Sequence, residues 1–295
     1  MGRALVLGGG GVTGVAWELG MLCGLREHGI DLAGADLIVG TSAGAVVGAQ
    51  LATGVDPEER YAAQLVPPNG EAAAVLAPGA MLRLVLAAVA GGRDRQRVRA
   101  RIGRFALRAR TGPESERIAV IGRRLPVHEW PSRGLRITAV DTRTGELVVL
   151  DRHAGVPLVE AVAASCAVPG VWSPITVGGR RLMDGGVRSP ANADLAAGCD
   201  RVVVLAPTVR ALGPMVGVAA QVDALRAQGA QVALVSPDAA AVAAIGRNVL
   251  DPVHRAPAAR AGRTQAVAAA AGIAAVWQRT GDGDPDKAPG AQGRQ

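Results

Sequence analysis

Three short stretches hold residue types that can do chemistry, and each is built on glycine. Ser42 stands in GTSAG, residues 40 to 44, between Gly40 and Gly44. A serine in G-x-S-x-G spacing, at the join of a strand and a helix, is lifted clear of the backbone on a strained turn. A side chain at either flanking glycine would collide with the neighbouring strand or helix. The helix N-terminus beneath favours the negative charge that develops when an ester is attacked. Alone the motif is a weak signal, because 40 of the 295 residues are glycine; a plain glycine-rich turn also explains it.

The second stretch, GGGGVTG at 8 to 14, satisfies G-x-G-x-x-G as Gly9, Gly11 and Gly14. Two functions compete for it. As a dinucleotide fingerprint it would bring a pyrophosphate to a helix N-terminus, with an acidic residue about 20 positions on for the ribose. Glu27 and Asp31 are near that distance, but neither follows a second strand. As an oxyanion hole, successive N–H groups of Gly9, Gly10 and Gly11 would point at the oxygen that becomes charged, each donor worth about 2.7 to 4 kcal/mol of barrier. If the two glycine-rich turns follow neighbouring strands, both lie at one edge of the sheet, which favours acyl transfer.

The third is MDGGV, 183 to 187, where Asp184 precedes Gly185 and Gly186. By itself this reads as an ordinary turn. A nucleophilic serine, however, needs a base within hydrogen-bond reach, and histidines occur only at 28, 128, 153 and 254. An order of Ser42, Asp184, His254 is formally that of an α/β-hydrolase triad. Against it, His254 lies in DPVHRAP, a Pro-flanked polar segment read as a surface loop.

Positioning these residues requires a sheet. Residues 3 to 8 predict a buried strand, followed by the first turn and a helix to about His28; Ala35–Val39 predicts a second strand, with a helix opening at Ala45. Two such units argue for a parallel sheet with helices on its faces. From Asp56 to about Pro131 the pattern is helical and broken by prolines, an insertion on the sheet. Strands are expected at Leu135–Val140, Glu146–Leu150, Arg201–Ala206 and Gln231–Val235, helices at Pro157–Cys166, Val218–Ala227 and roughly Arg263–Gln278. A single domain over 1–280 is expected, with a disordered tail at 281–295.

Net charge is +7, but Lys287 is the only lysine among 32 basic residues. An arginine bias of that kind reflects coding composition as much as an anionic partner. Aromatics make up 2%, too few for stacking platforms, so no nucleic-acid partner is expected. Cys23, Cys166 and Cys199 suggest neither a disulfide framework nor a metal site. No secretion signal is expected, and Met81–Ala90, interrupted by Arg83, is shorter than the roughly 20 residues of a spanning helix. A cytoplasmic protein with at most peripheral membrane contact is expected.

Taken in order, GGGGVTG, GTSAGA and DGG, with ASCAVPGVWSP at 164 to 174 before the last, resemble the three signatures of the patatin-like phospholipases of bacterial type. The likeness covers about residues 3 to 210. It implies a three-layer α/β/α domain with a mainly parallel sheet and a Ser-Asp dyad without histidine. By position, Ser42 would be nucleophile, Asp184 proton acceptor, the glycines at 9 to 11 the oxyanion hole, and Gly14, Gly40, Gly44, Gly185 and Gly186 the structural motif glycines. A lipid or ester is the implied substrate, with no metal or cofactor; the alternative is a non-catalytic relative that binds lipid without forming an acyl-enzyme. The family usually carries Lys or Arg where this chain has Thr13, so ester hydrolysis is implied more firmly than phospholipid preference.

Beyond the motifs, Arg93, Arg97, Arg101, Arg104 and Arg108 follow helical spacing along one face, with Val98, Ile102 and Phe105 on another. Such a helix suits transient contact with an anionic membrane. A solvated arginine face over the core is the commoner meaning of the pattern, and Gly103 weakens the helix. The apolar run from Met81 to Val89 reads as a core helix, or as a lid or acyl-chain pocket.

Overall fold

The computed structural model describes residues 2–68, 74, 94–209 and 216–278. Among the described residues, eight strands, β1 (Arg3–Leu7), β2 (Leu37–Gly40), β3 (Gly134–Asp141), β4 (Leu147–Leu150), β5 (Ile175–Val177), β6 (Arg180–Asp184), β7 (Arg201–Leu205) and β8 (Gln231–Val235), form one sheet. Five of them run parallel in the order β3-β2-β1-β7-β8; β4, β5 and β6 join antiparallel at the β3 end.

The apolar runs form strands because both of their faces are covered. In β1, Leu5 and Leu7 face one apolar cluster, while Ala4 and Val6 face another. On the first side pack α1 (Gly11–Glu27), α2 (Ala43–Ala52), α6 (Leu158–Ser165), α8 (Ala239–Ile245) and α9 (Arg255–Trp277). On the second lie α7 (Val218–Ala227) and the short turn Ala193–Ala196. The expected layers of helix, sheet and helix are therefore present.

The described part of the 56–131 segment holds α3 (Pro57–Leu65), α4 (Arg95–Arg108) and α5 (Glu114–Arg124). Asp56 caps α3 and Asp94 caps α4 by accepting backbone N–H groups. Val98, Ile102 and Ala106 of α4 are buried against Val140 and Met183, while Arg97, Arg101, Arg104 and Arg108 are exposed. Gly103, expected to weaken this helix, lets it approach the β3–β4 turn, where a Cβ would run into Thr142 O. The Met81–Ala90 run, Arg93 and the 281–295 tail lie outside the described residues.

Two expectations need correction. The last helix begins at Arg255, not near Arg263, because Pro257 sits in its first turn, where a missing N–H costs nothing. Helix α8 was not anticipated; Asp238 caps it by accepting the Ala241 N–H.

Pairing along β3 positions the site. Ile137 pairs with Gly40 of β2 and with Leu150 of β4, and Ala139 pairs with Val148 of β4 and with Asp184 of β6. A strand has only two edges, so β2 and β6 share one and β4 takes the other. The antiparallel β6 thus runs toward the end of β2 and delivers Asp184 two register positions beyond Gly40.

Candidate active site

Ser42 N-caps α2 with φ 53° and ψ −111°, one of two non-glycine residues with positive φ among those described. Such a backbone persists only where its surroundings hold it. A Cβ on Gly40 would stand 2.6 Å from Gly44 O, and one on Gly44 would enter Leu7 O of β1, so neither flank tolerates a side chain. The Ser42 N–H donates to Ser165 Oγ (2.9 Å), and Cys166 Sγ donates to Ser42 O (3.2 Å).

The turn directs the hydroxyl at the end of β6, where Ser42 Oγ donates to Asp184 Oδ2 at 2.7 Å. Asp184 Oδ1 accepts the Gly186 N–H at 2.7 Å, and the Asp184 N–H donates to Ala167 O at 3.0 Å. Gly185 lies against Thr138, leaving no room for a Cβ. Burial pushes the Asp184 carboxyl up to about 6, against the opposing pull of the Ser42 hydroxyl, the Gly186 N–H and the Arg117 charge. Arg117, itself buried, donates to Cys166 O (3.3 Å) and stacks 3.7 Å over the Trp172 ring.

The glycine turn follows β1 beside this pair. The Gly9 N–H donates to Pro190 O at 2.7 Å, so it is already committed. Gly10 caps α1 and Gly11 begins it, and the first N–H groups of a helix have no partner within it. Gly11 has φ +62° and lies under Val249 O, so both conformation and space require glycine there. Gly14 closes the turn, its N–H donating to Gly10 O (2.8 Å). Thr13 is buried and donates to Val249 O through N–H (3.2 Å) and Oγ1 (3.3 Å), pinning the 249 segment onto the turn.

Neither acid considered for a ribose stands at the end of β2. Glu27 ends α1 and pairs with Arg263, and Asp31 caps the short turn Leu32–Gly34. The histidine alternative does not assemble either. His254 forms the start of α9 rather than a surface loop, with its ring on Ala244 O (3.1 Å). The hydrogen bonds of His28, His128 and His153 also go elsewhere.

Sequence reasoning missed Asn192 and gave Ser165 no role. Asn192, buried with φ 51°, donates through Nδ2 to Thr41 Oγ1 and Ser189 O, both at 3.0 Å, with Thr138 Oγ1 and Gly185 O at 3.3 Å. It ties the end of β2, the middle of β3 and the Asp184 turn into one unit. Cys166 lies near the charges of Arg117 and Arg124, yet burial pushes its thiol up to about 11. Among the described residues there is no cluster of metal-ligating side chains, and no helix is long and apolar enough to cross a membrane.

The patatin-like phospholipase family model matches residues 5–197. The chain is 32% identical over 196 residues to an uncharacterised NTE family protein of Mycobacterium bovis and equally to one of Mycobacterium tuberculosis. Each match takes in 63% of this chain and 43% of the relative, so the chain matches less than half the length of these proteins. Among solved structures, VipD from Legionella pneumophila aligns over 92% of this chain and 67% of its own, with 14% identity and a TM-score of 0.46. A structure of full-length SpcU with full-length ExoU from Pseudomonas aeruginosa aligns over 94% and 53%, with 18% identity and a TM-score of 0.38.

Proposed function

The chain belongs to the patatin-like phospholipase family, and we propose that it is a lipid acyl hydrolase in which Ser42 and Asp184 act as a dyad without histidine. The observation that carries this reading is the 2.7 Å hydrogen bond from the strained Ser42 hydroxyl to a buried carboxylate. In the first step Ser42 Oγ attacks the ester carbonyl carbon while its proton passes to Asp184 Oδ2. The carbonyl oxygen takes the negative charge and is met by the N–H groups of Gly10 and Gly11, with Gly9 holding the turn through Pro190. When the tetrahedral species collapses, the bond to the leaving alcohol breaks, and that oxygen takes the proton from Asp184. An acyl ester then remains on Ser42. Water attacks it, Asp184 accepts the water proton, and Ser42 leaves with that proton as the free acid is released.

A carboxyl poised near 6 suits this cycle, since it is ionised at neutral pH yet more basic than an ordinary aspartate. The exposed Arg97, Arg101, Arg104 and Arg108 of α4 fit transient contact with an anionic membrane surface. Labelling with a fluorophosphonate probe, alongside hydrolysis of p-nitrophenyl butyrate, tests the dyad. Wild type and His254→Ala should both label and turn over. Unchanged labelling of Ser42→Ala, or a folded wild type that never labels, overturns the proposal.

A further inference from the structure

Between α1 and α2 lies a cavity of about 170 Å3 whose polar lining is Arg60, Arg123, Arg124, Arg255, Gln50 and Gln64. Its position relative to the dyad follows from helix geometry. Val46 and Gln50, which line it, stand four and eight residues after Ser42 on one face of α2. At about 1.5 Å rise per residue, the wall runs from roughly 6 to roughly 12 Å beyond the nucleophile. The opposite wall begins at Val12, the residue after Gly11. Thus the cavity opens between the two helices that start at the two catalytic turns.

Its chemistry is one-sided. The lining has four guanidinium groups and no carboxylate among the described residues. Arg60 pairs with Glu59 and Arg255 donates to Val66 O, but Glu59 and Val66 are not part of the wall. The charge of Arg124 reaches the buried Cys166, whose Sγ donates to Ser42 O at 3.2 Å. The N-terminal turns of α1 and α9 both contribute to the wall, and helix N-termini favour anions. Among the buried polar atoms of the lining, Arg60 Nε, a donor, and Gln50 Oε1, an acceptor, have no hydrogen-bond partner. Guanidinium donors match phosphate oxygens, and the Gln50 acceptor matches a hydroxyl next to a phosphate.

We infer that this cavity is a phosphate subsite for a glycerol-phosphate type of group without a cationic tail, holding it while Ser42 attacks the attached acyl ester. The inference rests on the acyl hydrolase reading for the ester but not for the anion. With no carboxylate among the described lining residues to receive an ammonium group, a choline or ethanolamine tail would meet the like charge of these guanidinium groups. Lipids ending in a bare phosphate are therefore favoured over zwitterionic ones.

Two measurements test it. In the first, kcat/KM is compared for oleoyl lysophosphatidate and oleoyl lysophosphatidylcholine in wild type, Arg123→Gln, Arg124→Gln and Arg124→Lys. Wild type should prefer the phosphate lipid at least about tenfold; each Gln variant should cut that ratio about tenfold, chiefly through KM, and Arg124→Lys should restore part of it. Arg123 is exposed, so its variant reads the subsite even if the Arg124 variants fold poorly. In the second, calorimetric titration of glycerol 3-phosphate and of inorganic phosphate into Ser42→Ala is repeated with each arginine change added. Binding of both anions with no lipid preference would assign the subsite to free phosphate. A protein that binds glycerol 3-phosphate yet cleaves no ester would sink the hydrolase reading and keep the subsite. A lipid ratio near one together with anion binding indifferent to both arginines would overturn it.

Discussion

The two strand-to-helix turns of the site each lie against a buried carboxyl group, and the two carboxyls differ in company. Asp184, at the Ser42 turn, receives the Ser42 hydroxyl, the Gly186 N–H and the field of Arg117. Glu18, on α1 beneath the glycine turn, is fully buried, and neither of its oxygens has a hydrogen-bond partner. Burial pushes both carboxyls up. For Asp184 the partners hold the rise to about 6; for Glu18 the nearby Gly8 N–H, already given to Leu205 O, offsets little, and the group stays well above its ordinary range. Burial without donors thus leaves a carboxyl raised, whereas donors beside a buried carboxyl hold the rise back.

Breaking the partnered side should have the largest effect. Ser42→Ala and Asp184→Asn are each expected to lower hydrolysis of p-nitrophenyl butyrate by at least about a thousandfold, as groups acting as a unit do. Thermal unfolding should remain cooperative in both. An Asp184→Asn enzyme within tenfold of wild type would show that something else takes the proton.

The glycine side is expected to act through geometry. Gly11→Ala forces an L side chain to φ +62° beneath Val249 O and displaces the turn that offers its N–H groups. A loss of about a hundredfold in kcat, in the range of one oxyanion donor, should leave the pH midpoint of the remaining activity in place. Wild-type kcat in this variant would remove the glycine turn from the chemistry.

Acid should silence the enzyme through Asp184. In the proposed dyad its ionised form is the base, so kcat/KM is expected to be full above neutrality and to fall as pH drops through about 6. In Ser42→Ala the hydroxyl that favours the charged form is gone, and the carboxyl should titrate higher still, as read by carbon NMR of labelled aspartate. A midpoint near that of a solvent-exposed aspartate would mean that water reaches the site.

How much of this was legible in the sequence depends on the range of the interactions. Ser42 and its glycines stood out because the elbow is local: Gly40, Ser42 and Gly44 meet within one turn. The parallel strands were legible because burial on both faces writes an unbroken apolar run, as in RVVVL of β7. Three-residue β5 leaves no such run. His254 read as a loop residue because of Pro252 and Pro257, both of which sit at helix starts. Asn192 and Ser165 were illegible for another reason. Their partners Thr41 and Ser42 lie 151 and 123 positions away, and a polar residue in a turn carries no mark of so distant a contact.

The smallest effect belongs to Glu18, and it isolates the unpartnered side. Its folded pKa lies above its unfolded value, so the folded state holds the proton more tightly. Stability is therefore greatest below the unfolded value and declines as pH rises toward the folded one. Asp184 adds a slope of the same sign, so the clean comparison is made in an Asp184→Asn background. There, Glu18→Gln keeps the shape of the side chain and removes its charge at every pH. The urea midpoint of this double variant, relative to Asp184→Asn alone, should be higher at pH 8 than at pH 5, because only the parent must strain to keep a proton there. An equal difference at the two pH values would mean that Glu18 has donors after all and is a second partnered carboxyl.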